Sequence, residues 1–175
     1  MTIFIRQARP TDLSAYTTMI QQTDQKTYTN DSLGLTKECF SEEVFSSEDT
    51  QTYLKSKLAI ADNKQTWVAV TKNIVLGSVT IEDKGDSYEL SGFYVLPKYQ
   101  GMGMGKQLWA KALEFANDKD ITLDIYSHNT KTIDIYKNWG FEVDAERGTF
   151  SRHWPEWPEG VKAESLYMRR TKGAN

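Results

Sequence analysis

The stretch VLPKYQGMGMGKQLW, residues 95–109, sets three glycines, Gly101, Gly103 and Gly105, within five positions between a run that reads as a strand and a run that reads as a helix. Without Cβ atoms these residues can take positive φ and let successive backbone N–H groups converge on one point. A helix starting directly behind them aims its own unsatisfied N–H groups and positive dipole end at the same spot. The combination is an anion cradle suited to a phosphate or pyrophosphate. The dipole contributes only about 0.3–2 kcal/mol, so several N–H donors must share the binding. A Walker loop needs an earlier first glycine and Ser or Thr after Gly-Lys, where Gln107 stands. The dinucleotide fingerprint needs two residues between its second and third glycines, and this loop has one. Taken alone, the segment also reads as a turn with glycines used only for tight packing.

A strand feeding a glycine loop and a helix calls for an α/β arrangement, and the flanking patterns supply it. Residues 3–9 read as a strand and 10–22 as a helix entered at Pro10, with Leu13, Tyr16 and Ile20 at helical spacing. Residues 24–49 are polar without a steady period, a long and partly helical excursion. A second helix is expected over 50–61. Three β-branched and aromatic runs follow, 66–72, 74–83 and 88–96, split by turn residues into an antiparallel meander. Residues 105–119 carry Leu108, Trp109, Ala112, Leu113 and Ala116 on one helical stripe. Then come a strand over 121–127, a short helix over 130–140 capped by Gly140, and closing strands in 141–150 and 164–170. The fold class expected is α/β with α+β character: a mixed, mostly antiparallel central sheet with helices on both faces. No repeat or linker interrupts the 175 residues, so residues 1–175 are expected to form one domain.

The net charge of -3, with no block of lysines and arginines, gives no sign of a nucleic-acid or anionic-membrane partner. A neutral or cationic small substrate suits it better. One cysteine, Cys39, excludes an intramolecular disulfide, and no apolar run reaches the length of a signal peptide or a membrane span. The expectation is a soluble cytoplasmic protein. His128 and His153 are the only histidines and have no further ligands at useful spacing, so no metal site is expected.

The spacing Gln100-x-x-Gly103-x-Gly105 after FYVLPKYQ resembles the pyrophosphate-binding signature of the GNAT superfamily of N-acetyltransferases. Downstream, NTKTIDIYKNWGF, with Asn129 seven residues before Tyr136 and Gly140-Phe141 at the end, resembles the second half of that family's acyl-CoA site. The likeness spans residues 66–142. It implies acetyl-CoA as cofactor, with coenzyme A as product, and a cofactor site built from Phe93, Tyr94, Val95, Gln100, Gly101, Met102, Gly103, Met104, Gly105, Lys106, Asn129 and Tyr136. In such proteins the strand before the loop splays from its neighbour, and its free backbone groups pair with the pantetheine amides as an added strand. Gly92 inside the strand reads as the bulge that creates the splay, or as room for an aromatic ring. Asn129 reads as a pantetheine contact or as a plain helix cap.

The resemblance makes Tyr136 the general acid that protonates the leaving thiolate. With ordinary pKa values of about 10 and 8.5, that transfer is uphill by roughly 2 kcal/mol. The acceptor amine must lose a proton before attack, which for an alkylammonium at pH 7 costs about 4.6 kcal/mol. A carboxylate on the splayed strand is the family's usual base. Many relatives carry Glu where this chain has Ser91, which leaves Glu89 as first candidate and Glu82 on the neighbouring strand as second.

Acidic residues in 37–50 could draw a cation such as a polyamine, or form a solvated face. The segment SRHWPEWPEG, residues 151–160, carries two Trp-Pro pairs, and Trp154 and Trp157 read as acceptor walls, a homodimer contact or a plug over the core. The start of the chain, with YLKSKLA after an acidic tract, bears some likeness to bacterial polyamine acetyltransferases. The expected activity is direct acetyl transfer from acetyl-CoA to a primary amine, a small molecule such as a polyamine, in a ternary complex. The alternatives are a protein N-terminal or lysine acetyltransferase and a non-catalytic acyl-CoA sensor.

Overall fold

The structure is a computed structural model that describes residues 2–116 and 118–174. Its strands are β1 (Phe4–Gln7), β2 (Lys64–Thr71), β3 (Ile74–Asp83), β4 (Ser87–Val95), β5 (Asp120–Tyr126), β6 (Glu142–Val143), β7 (Thr149–Arg152) and β8 (Ala163–Arg170). Its α-helices are α1 (Leu13–Tyr28), α2 (Glu42–Ser46), α3 (Glu48–Leu58), α4 (Met104–Ala116) and α5 (Thr130–Asn138). All eight strands join one sheet in the order β1-β2-β3-β4-β5-β8-β6, with β7 also on β8. Every pair is antiparallel except β4 with β5. The mixed, mostly antiparallel α/β sheet expected from the sequence is the one observed.

The alternation of the central strands divides the core into two layers. On one face Leu76, Val79, Ile81, Leu90 and Leu123 pack under Leu108, Trp109, Ala112 and Ala116 of α4 and under Ile133 and Tyr136 of α5. The α4 stripe is the one read from the sequence, and each large side chain it buries contributes about 1.5–3 kcal/mol. On the other face Val68, Val70 and Val75 meet Tyr16, Met19 and Ile20 of α1 and Leu54 and Leu58 of α3. Ser47 caps α3, its Oγ accepting from the Thr50 N–H at 3.2 Å, so the helix begins before the expected residue 50.

Two further boundaries differ from the sequence reading for physical reasons. Helix α1 continues to Tyr28, past the expected end at 22. Residues 23–28 lack an apolar repeat because Thr23, Asp24 and Tyr28 line a cavity where polar groups are needed. Residues 141–150, expected as one strand, form the two short strands β6 and β7. Between them Asp144 Oδ1 accepts from the Arg147 N–H at 3.2 Å, and Gly148 takes φ 66°, a conformation that turns the chain away from strand pairing. The excursion over 24–49 is partly helical as expected, holding the end of α1, short 3-10 turns and α2.

Candidate active site

The parallel pair β4–β5 holds only through Ser87, Tyr88 and Glu89 opposite Asp120, Ile121 and Thr122. Beyond Glu89 the strands part. The cause lies one strand away: Thr80 of β3 faces Gly92 while Ile81 faces Leu90, so Ser91 is an extra residue in a bulge. Gly92 meets both readings offered for it, since a Cβ there would also come within 3.2 Å of the Tyr94 ring. The backbone of Phe93–Val95 therefore pairs with β3 on one side and faces open space on the other.

A cavity of about 1360 Å³ runs through this gap. A site for one small ligand is roughly 300–1000 Å³, so this one has room for two. One end is the glycine loop. Gly101 and Gly103 take φ 77° and 80°, and a Cβ on either would meet nothing within 4 Å. Their role is conformational rather than one of packing. Gly105, expected to share that conformation, does not have positive φ. It lies in the first turn of α4, where a Cβ would sit 3.7 Å from Phe93 Cζ. Among the described residues no N–H of residues 101–106 has a well-formed acceptor in the chain, the first bond of the helix running from Gln107 to Gly103. Six donors at a helix N-terminus thus stand open to an anion. Met102 and Lys106 are exposed at the loop, whereas Met104 turns its side chain into the core and has only its backbone to offer. The Gln100 side chain donates to Val95 O at 3.0 Å and so takes up one of the strand's carbonyls itself.

Midway along the cavity stand Asn129 and Tyr136. Asn129 caps α5 through Oδ1, which accepts from the Thr132 N–H at 3.4 Å, while its Nδ2 is buried without a partner. The cap and ligand readings thus fall on different atoms of one side chain, and the spare donor suits a carbonyl such as a pantetheine amide. Helix α5 ends in a Schellman motif, with Phe141 N–H to Tyr136 O and Gly140 N–H to Lys137 O, each at 3.0 Å, and φ 82° at Gly140. That cap fixes the turn carrying Tyr136, whose ring packs 5.4 Å from Phe141 and 6.4 Å from Phe93. Burial, and after it the charge of Asp124, pushes the Tyr136 hydroxyl well above the usual phenol range. It stays protonated and available as a donor.

The far end of the cavity is built by segments that carried no motif. Tyr28 sets its ring 4.7 Å from that of Tyr126, and Trp154 donates its Nε1–H to Tyr126 Oη at 2.8 Å and packs on Tyr53 at 5.8 Å. The two tryptophans of the β7–β8 loop differ in place. Trp154 is a half-buried wall, whereas Trp157 is buried between Phe40 and Tyr126, at 6.0 and 6.2 Å. Glu156 accepts from Ser47 Oγ at 2.9 Å and Thr50 Oγ1 at 3.0 Å, which fastens the loop to the start of α3. Glu89 lines the cavity with its side chain 38% exposed and Lys84 Nζ 4.0 Å away. Glu82, opposite Glu89 in the register, pairs with Lys84 at 3.0 Å and lies outside the cavity lining. Asp24, which sequence reasoning passed over, projects from α1 into the cavity, its Oδ1 buried without a hydrogen bond. The only signal for it is its place four residues before Tyr28, on one face of a helix read as ending too early.

Residues 30–141 match the model of the acetyltransferase (GNAT) family. The chain belongs to this family. Among solved structures, the PaiA N-acetyltransferase of Thermoplasma acidophilum, in complex with coenzyme A, superposes with a TM-score of 0.73 at 18% identity, over 98% of this chain and 99% of that one. The ribosomal-protein-S18-alanine N-acetyltransferase of Escherichia coli does so with 0.68 at 13%, over 99% and 96%. These likenesses show the GNAT fold. An uncharacterized protein of Mycobacterium leprae is 32% identical over 83 residues, and that match spans 47% of this chain and 21% of the relative's length. The GNAT resemblance read from the glycine loop and from the Asn129–Phe141 segment is thereby established, and with it acetyl-CoA as the cofactor. Among the described residues there is no cluster of three metal-ligating side chains, and no helix is long and apolar enough to cross a membrane.

Proposed function

We propose that the chain transfers an acetyl group from acetyl-CoA to a primary amine of a small molecule, by direct attack while both are bound. The observation that carries this reading is the one cavity that passes through the β4–β5 gap, joining the open N–H groups of residues 101–106 to Tyr136 and then to an aromatic end holding Asp24. Residues 100–106 would hold the pyrophosphate, and the free edge of Phe93–Val95 with Asn129 Nδ2 would hold the pantetheine arm. Acetyl-CoA, when bound, supplies a thioester carbon for the amine to attack and a thiolate that leaves. Tyr136 donates its hydroxyl proton to that sulfur, and the proton that the attached nitrogen sheds as it becomes an amide restores the phenol. The burial that raises the Tyr136 hydroxyl would move a thiol beside it in the same direction. Glu89, at the last paired position before the strands part, takes the ammonium proton through a water.

Thiol release with acetyl-CoA and a panel of small amines, a peptide with a free N-terminus and a lysine peptide tests this. Release with small amines is expected. Release only with peptides would make the acceptor a protein, and release with none would leave a sensor that binds acyl-CoA. Trp154, the half-buried wall, gives a finer check. Trp154→Ala should raise the acceptor KM several-fold without changing acetyl-CoA affinity. Light-scattering mass should stay the same, whereas a homodimer contact through this loop would lower it.

A further inference from the structure

A carboxylate removed from water is ordinarily paired or hydrogen-bonded. Asp24 departs from that rule: its Oδ1 is buried and unpartnered, and it makes no ion pair among the described residues. None of the four cations that line the cavity, Lys26, Lys57, Lys131 and Arg152, is paired with Asp24 among the described residues, and two of them are turned to other groups. Arg152 binds Asp124 at 2.6 Å, and Lys57 lies 4.8 Å over the Tyr53 ring. Around the carboxylate the walls are aromatic, with Tyr28 on its own helix, Tyr53 on α3, Tyr94 on β4, Tyr126 on β5 and Trp154 beyond. An unpaired anion ringed by aromatic faces is a receptor for an organic cation, since both attract it and neither hydrates it.

We propose that Asp24 and these aromatic walls form a subsite for a second positive charge of the acceptor, so that the preferred substrates are diamines or polyamines rather than monoamines. This rests on the amine-acceptor reading above. The nitrogen that attacks must give up its proton and cannot keep the charge that a carboxylate holds, so Asp24 needs a cation that persists through the reaction. Asp24 on α1 and Tyr136 on α5 line the same cavity, so one molecule can reach both.

Burial pushes the Asp24 carboxyl up to about 8. The phenols that feel its charge are Tyr16 and Tyr28 from α1, Tyr53 from α3, Tyr94 from β4 and Tyr126 from β5, and the charged groups that line the same cavity are Lys26, Asp49, Lys57, Glu89, Asp124, Lys131, Arg152 and Glu156. Below pH 8 the free site holds a proton that an arriving ammonium must expel. Affinity for a dication should thus rise by up to about tenfold per pH unit between pH 6 and 8 and level off above, with most of one proton released at pH 7.

The test is titration calorimetry without acetyl-CoA, with 1,4-diaminobutane and n-butylamine, in two buffers of different ionisation enthalpy, on the parent and on Asp24→Asn. That variant keeps the shape and loses no native partner, and unchanged protection by acetyl-CoA reports that it is folded. The parent should bind the diamine at least about tenfold more tightly than the monoamine, with proton release, and Asp24→Asn should abolish both the preference and the release. A parent without the preference, or a variant that keeps it, overturns the subsite. Thiol release measured afterwards separates the two readings. Diamine bound through Asp24 without thiol release would end the transferase reading and leave the subsite standing, and thiol release with binding indifferent to Asp24 would do the reverse.

Discussion

Tyr136→Phe is expected to lower kcat about a hundredfold and to leave acetyl-CoA affinity within about twofold of the parent. The substitution removes one hydroxyl and little volume, and the ring that packs on Phe93, Trp139 and Phe141 remains. What is lost is a proton donor acting on the departing sulfur, and general acid catalysis typically contributes 10²–10⁴-fold. Single-turnover kinetics should place the loss in the chemical step. The defect should shrink with an acetyl thioester whose thiol has a low pKa, because a better leaving group needs less protonation. Equal turnover in the two proteins would make Tyr136 a core residue and nothing more.

Gly103→Val is expected to abolish protection by acetyl-CoA while the fold persists. In the parent, acetyl-CoA at 100 times its Kd adds about 2.7 kcal/mol to the folded state, a rise in Tm of roughly 5–10 °C for a chain of this size. At φ 80° a β-branched residue is strained, and the loop can relieve that strain only by rotating out of the conformation that gathers its N–H groups. Because a Cβ there meets no neighbour, the variant's own Tm should fall by only a few degrees. A variant protected as well as its parent would put the anion site elsewhere.

The glycine-loop half of the candidate site was legible in the sequence because backbone conformation dictates it. Positive φ at Gly101, Gly103 and Gly140 and a cap at Asn129 restrict residue choice at fixed spacing, so they leave a linear pattern. Gly105 shows the limit of that reading: the pattern holds a glycine there, but its φ is not positive and a Cβ would meet Phe93 only at an ordinary contact distance of 3.7 Å, so the fold itself does not demand it. The acceptor end was not legible. Asp24, Tyr53, Tyr126 and Trp154 come from four elements and meet only when the sheet and α1 are assembled. Asp24 also fell in a stretch where periodicity failed, because a helix face turned to a polar cavity has no apolar stripe to reveal it. The Trp-Pro loop was recognised as unusual, but its two tryptophans are alike in sequence and differ in burial, since both reach the cavity and the same core cluster while only Trp157 is enclosed.

The parting of β4 from β5 has a consequence for how the chain keeps its own strands to itself. Two edges that would lie at the rim of an ordinary sheet here face each other in its middle, each offering unpaired N–H and C=O groups. Such an edge is a template for any extended peptide and commonly leads to association between chains. Here the opening is walled by α1 on one face and α5 on the other, with Tyr28, Asn129 and Tyr136 along it. Those helices stand between the two edges and any second chain, so the bare groups that invite association at a rim are here reserved for what enters the cavity.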